Sequence, residues 1–271
     1  MAPPEPYPHV MKLQIVGGGK MGEALLGGVL AKGWATPEDL AIVELSEERR
    51  SELSSAYPGV IITTEVDPAA DSLIAVKPQH VVDLVSQLAG ADVRVLSVAA
   101  GVQISAMETA APQARIIRAM PNTPALVGQG ASAIAGGRLV AEADLSWAES
   151  ILGAVGIVVR VEEADIDAVT GLSGSGPAYV FHLAEGLIAA GIAQGLAPEV
   201  SDQLTRQTLL GAATLLSSSG QDPAVLRKNV TSPGGTTEAG LAVFAEADLA
   251  ALVDRVVGAA TDRSKELGQD G

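Results

Sequence analysis

The chain has 271 residues, enough for one large domain or two modest ones around a real core. With 30 glycines and only 3% aromatic residues, it favours close helix packing over an aromatic interior. A net charge of −15 disfavours nucleic-acid and anionic-membrane partners, and the lack of cysteine excludes disulfides, thiolate nucleophiles and cysteine-ligated zinc. An anionic ligand would therefore need donors placed at its own site.

His9, His80 and His182 are far apart in sequence, so no metal site is expected. Residues 1–10 are proline-rich without the apolar run of a signal segment, and residues 1–11 read as a flexible tail. No uncharged apolar stretch reaches membrane-spanning length, which leads to the expectation of a soluble, cytoplasmic protein.

Leu13-Gln14-Ile15-Val16 is a short apolar strand running into Gly17-Gly18-Gly19-Lys20-Met21-Gly22. Ala24, Leu25, Val29 and Leu30 then predict a helix ending near Gly33. Strand, G-x-G-x-x-G and helix in that order form a dinucleotide-binding signature. Gly17 allows the tight turn, Gly19 lets a pyrophosphate touch backbone, and Gly22 lets helix and strand pack.

Residues 40–43 read as a second strand ending in Glu44. An acid there takes the ribose hydroxyls of NAD and repels the extra phosphate of NADP. Ser46, Arg49 and Arg50 follow at once and are suited to holding that phosphate, although arginines on a solvated helix face need no ligand. The choice between NADH and NADPH stays open.

Strands at 60–62 and 72–76 are joined by a brief Asp/Pro-rich link, and the second ends in Ala75-Val76-Lys77-Pro78. Ligands sit outside the carboxyl ends of parallel strands, so this turn is placed to touch a cofactor. A helix at 81–88 precedes a strand at 93–98, which runs into Ala99-Ala100-Gly101, again small enough for close backbone approach. A strand at 115–118 leads to the rigid loop Met120-Pro121-Asn122-Thr123-Pro124. A strand at 131–135, a helix at 142–155 and a strand at 157–161 follow. The alternation implies a Rossmann-type doubly wound parallel sheet over residues 12–162.

From residue 163 to 271 the pattern is all-helical, with helices expected at 165–172, 177–194, 198–217 and 239–266. They are apolar over more of their circumference than a lone surface layer needs. A second copy of the chain would cover the excess, and a compact helical core within one chain fits the same pattern. Before the last helix lies Asn229-Val230-Thr231-Ser232-Pro233-Gly234-Gly235-Thr236-Thr237. Ser232 and Pro233 read as a helix N-cap with proline at the first helical position. Gly234 and Gly235 admit a ligand close to the backbone, and a helix start suits a carboxylate or phosphate. Spacing alone favours a cap and turn without a ligand.

Several segments together carry a resemblance to the pyrroline-5-carboxylate reductases. They are G-G-G-K-M-G at 17–22, A-V-K-P at 75–78, A-A-G-V at 99–102 and R-A-M-P-N-T-P at 118–124. The most specific are D-A-V-T-G-L-S-G-S-G-P-A-Y at 167–179 and N-V-T-S-P-G-G-T-T at 229–237. The resemblance covers nearly the whole chain after the tail. It implies reduction of 1-pyrroline-5-carboxylate to L-proline by NADPH or NADH. It also implies a Rossmann domain, a helical dimerisation and substrate domain at 163–271, and a homodimer or higher homo-oligomer whose subunits complete each other's sites. By position, it assigns cofactor contacts to Val16, Gly17, Gly18, Gly19, Lys20, Met21, Ser46, Ala75, Val76, Lys77, Pro78, Ala100 and Asn229. Substrate contacts fall to Glu163, Ser232, Gly234, Gly235, Thr236 and Thr237. Glu44 stands where many NADPH-preferring members have no bare acid.

A cyclic imine is already electrophilic, so the chemistry needs hydride placement and a donor to the ring nitrogen. Thr237 is the expected catalytic donor, relaying a proton from water because its own pKa is too high for an acid. Ser232 and the amides of residues 234–236 would hold the carboxylate. The rivals are another imine or hydroxyacid oxidoreductase of related architecture and a non-catalytic nucleotide sensor. Hydroxyacid enzymes of this architecture place a lysine four residues after a G-S-G, and here that position holds Val180.

Overall fold

The structure, a computed structural model, describes residues 11–269, so the expected tail lies outside the described residues except for Met11. It begins with β1 (Leu13–Val16), α1 (Lys20–Ala31), β2 (Leu40–Val43), α2 (Glu47–Ala56), β3 (Ile61–Thr63) and β4 (Ser72–Ile74). There follow α3 (Val81–Ser86), β5 (Arg94–Ser97), α4 (Ile104–Ala110), β6 (Arg115–Met120), β7 (Gly130–Gly136), α5 (Glu142–Leu152) and β8 (Gly156–Arg160).

Period-two alternation in the strands builds two cores, one on each face of a single sheet. Leu13, Ile15, Leu40, Ile42, Leu73 and Leu96 face α1 and α5, where Leu25, Leu26, Val29, Trp147 and Ile151 meet them. Val16, Val43, Ile74 and Val95 face the other way, onto Val81, Val85, Ile104 and Met107 of α3 and α4.

The strand order is β3-β2-β1-β4-β5-β6-β7-β8, whose first six strands form the parallel dinucleotide-binding arrangement with its switch point between β1 and β4. One feature departs from the expected all-parallel sheet. β7 runs antiparallel to β6, and β8 then pairs parallel with β7. The link after Met120 holds a single 3-10 turn, Thr123–Val127, and such a direct reversal yields an antiparallel neighbour.

The rest is helical: α6 (Ile166–Val169), a π turn at Thr170–Gly174, α7 (Gly176–Ala193), α8 (Pro198–Ser219), α9 (Pro223–Asn229), α10 (Thr236–Glu246) and α11 (Leu249–Gln269). The helix expected at 239–266 is two helices, broken at Asp248, which adopts φ 46° and accepts the Ala251 N–H at 3.2 Å. α9 adds a helix with its own signals, Asp222 accepting the Ala224 N–H at 2.7 Å ahead of Pro223.

The chain divides into two compact units, one running to Ser175 and taking back the residues from Gly258 onward, the other Gly176–Val257. In the first, Ser264 of α11 is buried and donates to Asp167 Oδ1 at 2.7 Å, while the backbone of Leu267 borders Gly101. In the second, α7 and α8 pack closely, with Ser201 donating to the Ile188 carbonyl at 2.8 Å beside Gly191. Val180, Phe181, Val243 and Phe244 are exposed on their helices. The helical run Glu163–Ala193 meets the length and mean hydropathy of a membrane span, although Glu163, Asp165, Asp167 and Glu185 keep it from being an uncharged stretch. It is interrupted by the π turn and carries the exposed pair His182–Glu185 at 3.1 Å, which a hydrocarbon layer would have to dehydrate.

Candidate active site

The glycine turn follows β1 directly. Gly17 has φ 106°, and a Cβ there would sit 2.5 Å from the Ala75 carbonyl oxygen. At Gly22 a Cβ would collide with the Gly17 carbonyl, so β1 and α1 approach over bare backbone. A Cβ at Gly19, by contrast, would enter open space with no other part of the fold within 4 Å. Gly19 is also the N-cap of α1 and supplies no capping oxygen, which leaves the first amides of that helix directed at an open cradle. A dinucleotide pyrophosphate fits this cradle. Lys20 is exposed beside it and Met21 is half-buried.

Glu44 closes one side. Its Oε2 accepts the Gly18 N–H at 3.0 Å and its Oε1 the Ser46 N–H at 2.9 Å. Ser46 caps α2, its hydroxyl oxygen accepting the Arg49 N–H at 3.3 Å. Arg49 donates to the Gly18 carbonyl at 2.7 Å and pairs with Glu52 and Glu23. The hydrogen bonds it donates to Glu52, then to Glu23, raise its pKa above the ordinary guanidinium value. Arg50 donates to the carbonyls of Glu44 at 3.1 Å and Leu45 at 2.7 Å. Both arginines that the sequence offered for a phosphate are thus engaged within the fold.

On the other side of the switch point, Ala75 N–H donates to the Val16 carbonyl at 2.8 Å. Val76 lies against Gly17, and Lys77 and Pro78 are exposed at the start of a 3-10 turn. Ala100 is exposed in the turn after β5, next to Gly101 at φ 78°. Val16 through Met21, Ser46, Ala75 through Pro78 and Ala100 all belong to the first unit and occupy the carboxyl edges of β1, β2, β4 and β5.

Glu163 is in the same unit, half-buried, and its Oε1 accepts the Ile104 N–H at 2.7 Å and an Arg118 guanidinium N–H at 3.1 Å. Sequence reasoning passed over Arg118 and Asn122 as individual groups. Asn122 donates to the Ser173 carbonyl and accepts the Ala131 N–H, both at 2.9 Å, tying the loop after β6 to the π turn. A charge inside the apolar run Arg115–Met120 was the available signal for Arg118.

In the second unit, Asn229 ends α9 and is exposed. The expected cap at Ser232 is not a helix start. Gly235 N–H donates to the Ser232 carbonyl at 3.0 Å around Pro233 and Gly234, the latter at φ 69°, and α10 begins at Thr236 with Gly235 as its N-cap. Proline followed by glycine with positive φ is the geometry of a type II turn. Gly234 N–H is taken by Glu238 Oε2 at 2.6 Å, so of the amides assigned to a carboxylate, those of Gly234 and Gly235 already have acceptors. The donors left by the helix start are the N–H groups of Thr236, Thr237 and Glu238, and the two threonine side chains are exposed.

This sheet order, the glycine cradle and the appended helical unit define a nicotinamide-dinucleotide-dependent oxidoreductase. Residues 163–267 match the family described as pyrroline-5-carboxylate reductase dimerisation, and residues 12–101 match NADP oxidoreductase coenzyme F420-dependent. The chain is 39% identical to the pyrroline-5-carboxylate reductase of Corynebacterium melassecola over 268 residues, covering 95% of this chain and 98% of that one. The solved pyrroline-5-carboxylate reductase of Coxiella burnetii is 34% identical at TM-score 0.89, covering 96% and 99%. A Plasmodium falciparum pyrroline carboxylate reductase with NADP bound is 29% identical at TM-score 0.81, covering 95% and 98%. The chain belongs to the pyrroline-5-carboxylate reductase family.

Proposed function

We infer that the protein reduces 1-pyrroline-5-carboxylate to L-proline with NADPH or NADH, the last step of proline biosynthesis. The observation that carries this reading is the end-to-end likeness to reductases of that name, across the dinucleotide unit and the helical unit alike. When bound, the reduced nicotinamide supplies a hydride to the imine carbon, and the ring nitrogen gains a proton. Gly17, Gly19 and the first amides of α1 hold the pyrophosphate, with Lys20 beside it. The turn Ala75–Pro78 and Ala100 line the rest of the dinucleotide, and the family resemblance gives Asn229 a cofactor contact as well.

Thr237 donates a hydrogen bond to the ring nitrogen and passes on a proton drawn from water. The amides of Thr236 and Thr237, with the Ser232 hydroxyl, hold the substrate carboxylate at the positive end of α10 and so offset the unfavourable net charge. The family resemblance gives Glu163 a substrate contact. The apolar surface left on α7 and α10 supports a homodimer, in a cytoplasmic setting where reduced nicotinamide is regenerated.

The test is the loss of nicotinamide absorbance with pyrroline-5-carboxylate, beside the reverse assay with small hydroxyacids and a titration of cofactor alone. Turnover with the imine is expected. Bound cofactor without imine turnover would favour a sensor, and turnover of hydroxyacids alone would favour the related dehydrogenases.

A further inference from the structure

We propose that Glu44 makes this enzyme discriminate for NADH and against NADPH. The proposal rests on the functional reading above and concerns the adenosine end of the same cofactor site. Once a pyrophosphate occupies the Gly19 cradle, the attached ribose falls toward the carboxyl end of β2, where Glu44 stands.

The Glu44 carboxylate is fixed there by two backbone amides, Gly18 N–H on Oε2 and Ser46 N–H on Oε1. Each oxygen keeps lone-pair capacity for a ribose hydroxyl, which is the arrangement a 2′,3′-diol needs. Leu53 and Glu44 both close on Gly18, where a Cβ would meet Leu53 Cδ1 at 2.6 Å and Glu44 Oε2 at 3.1 Å. A 2′-phosphate would bring two negative charges against a pinned third.

The cations that would offset them are committed elsewhere. Arg49 serves Glu23, Glu52 and the Gly18 carbonyl, and Arg50 serves the carbonyls of Glu44 and Leu45. The residues from 44 to 52 carry four carboxylates against these two guanidiniums. Ser46 offers one neutral hydroxyl, too little to balance that field.

Equilibrium titration of the purified protein with NADH and with NADPH, at low and high salt, reads the inference without any turnover. NADH should bind about tenfold tighter or better at low salt, and the gap should narrow at high salt as like-charge repulsion is screened. Glu44→Gln, which keeps the size and one acceptor, should bring the two affinities to within about threefold. Should Glu44→Gln fail to fold, the wild-type salt series still decides.

A phosphate held by Arg49 and Arg50 gives the opposite pattern, NADPH tighter at low salt and losing its lead as salt rises. That pattern, equal affinities, or an unchanged gap in folded Glu44→Gln would overturn the inference. If the order of binding holds but the imine is not reduced, the reductase reading fails alone. If the imine is reduced and the order is wrong, only the role of Glu44 falls.

Discussion

Arg118, with 5% of its side chain exposed, donates to Glu163 Oε1 at 3.1 Å, the oxygen that also accepts the Ile104 N–H at 2.7 Å. One carboxylate oxygen thereby neutralises a buried guanidinium on β6 and satisfies the start of α4, and the other oxygen remains available. Removing the acid strands the cation. Glu163→Ala should cost about 2–4 kcal/mol in urea unfolding, and Glu163→Gln, which keeps an acceptor, about half as much. Equal stability of wild type and Glu163→Ala would show that the pair holds nothing together.

Two glycines of the same turn should respond in opposite ways. Gly22→Ala drives a methyl into the Gly17 carbonyl and should lower stability by about 3 kcal/mol or abolish folding. Gly19→Ala enters open space at φ −68°, so it should leave stability within about 1 kcal/mol of wild type, or slightly above it. Its methyl occupies the pyrophosphate cradle, so dinucleotide affinity should fall about tenfold or more. Thermal melts paired with nucleotide titration separate the two effects.

Thr237 is exposed in the first turn of α10 and makes no capping bond. Thr237→Ala should therefore leave the melting temperature and cofactor affinity near wild type while lowering kcat about 10- to 100-fold. Thr237→Ser should restore most of the rate. An unchanged kcat in Thr237→Ala would remove this hydroxyl from the chemistry.

Arg160 of β8 grips Glu149 through two hydrogen bonds, at 2.6 and 2.9 Å. Those bonds pull the Glu149 pKa below its ordinary value, against a smaller upward push from burial. The contribution to stability is therefore present above the unfolded pKa, about 4.3, and is lost as pH falls through the lower folded value. The urea midpoint of wild type should exceed that of Glu149→Gln at pH 7, and the two should converge in acid. Salt should shrink the difference, since both groups are partly exposed. A gap independent of pH would mean that the amide loses packing rather than charge.

Phe181 is 64% exposed on α7. Placing a charge there should prevent a second copy from covering that face, so if the proposed homodimer forms through it, Phe181→Asp should sediment as a monomer at concentrations where the wild type sediments as two copies. A dimeric Phe181→Asp would move the interface off this surface.

The glycine signature, the strand runs and the acid at Glu44 were legible because each is local: period, turn chemistry and a residue at a strand end. The direction of β7 was not, since a nine-residue scale of sequence does not reveal whether a turn reverses the chain or feeds a crossover. The start of α10 was misread although its signal was present, Pro233-Gly234 being a turn pair before it is a cap. Asp248 broke the long final helix for a related reason, a capping residue hidden inside an apolar run. Arg118 and Glu163 stand 45 positions apart, and no local rule pairs them. The same holds for the capture of Arg49 by Glu23 from α1, which turned a candidate phosphate ligand into a brace.

The seam between Ser264 and Asp167 has a consequence for biogenesis. The nucleotide-binding half is spelled in two pieces, with all of Gly176–Val257 between them. A ribosome adding about 5–20 residues per second must read through that insert before α11 can emerge and seat beside Gly101. During those seconds Asp167 and the turn at Gly101 wait without their partner residues from α11, so translation order, and not only affinity, decides when that corner of the nucleotide-binding unit is finished.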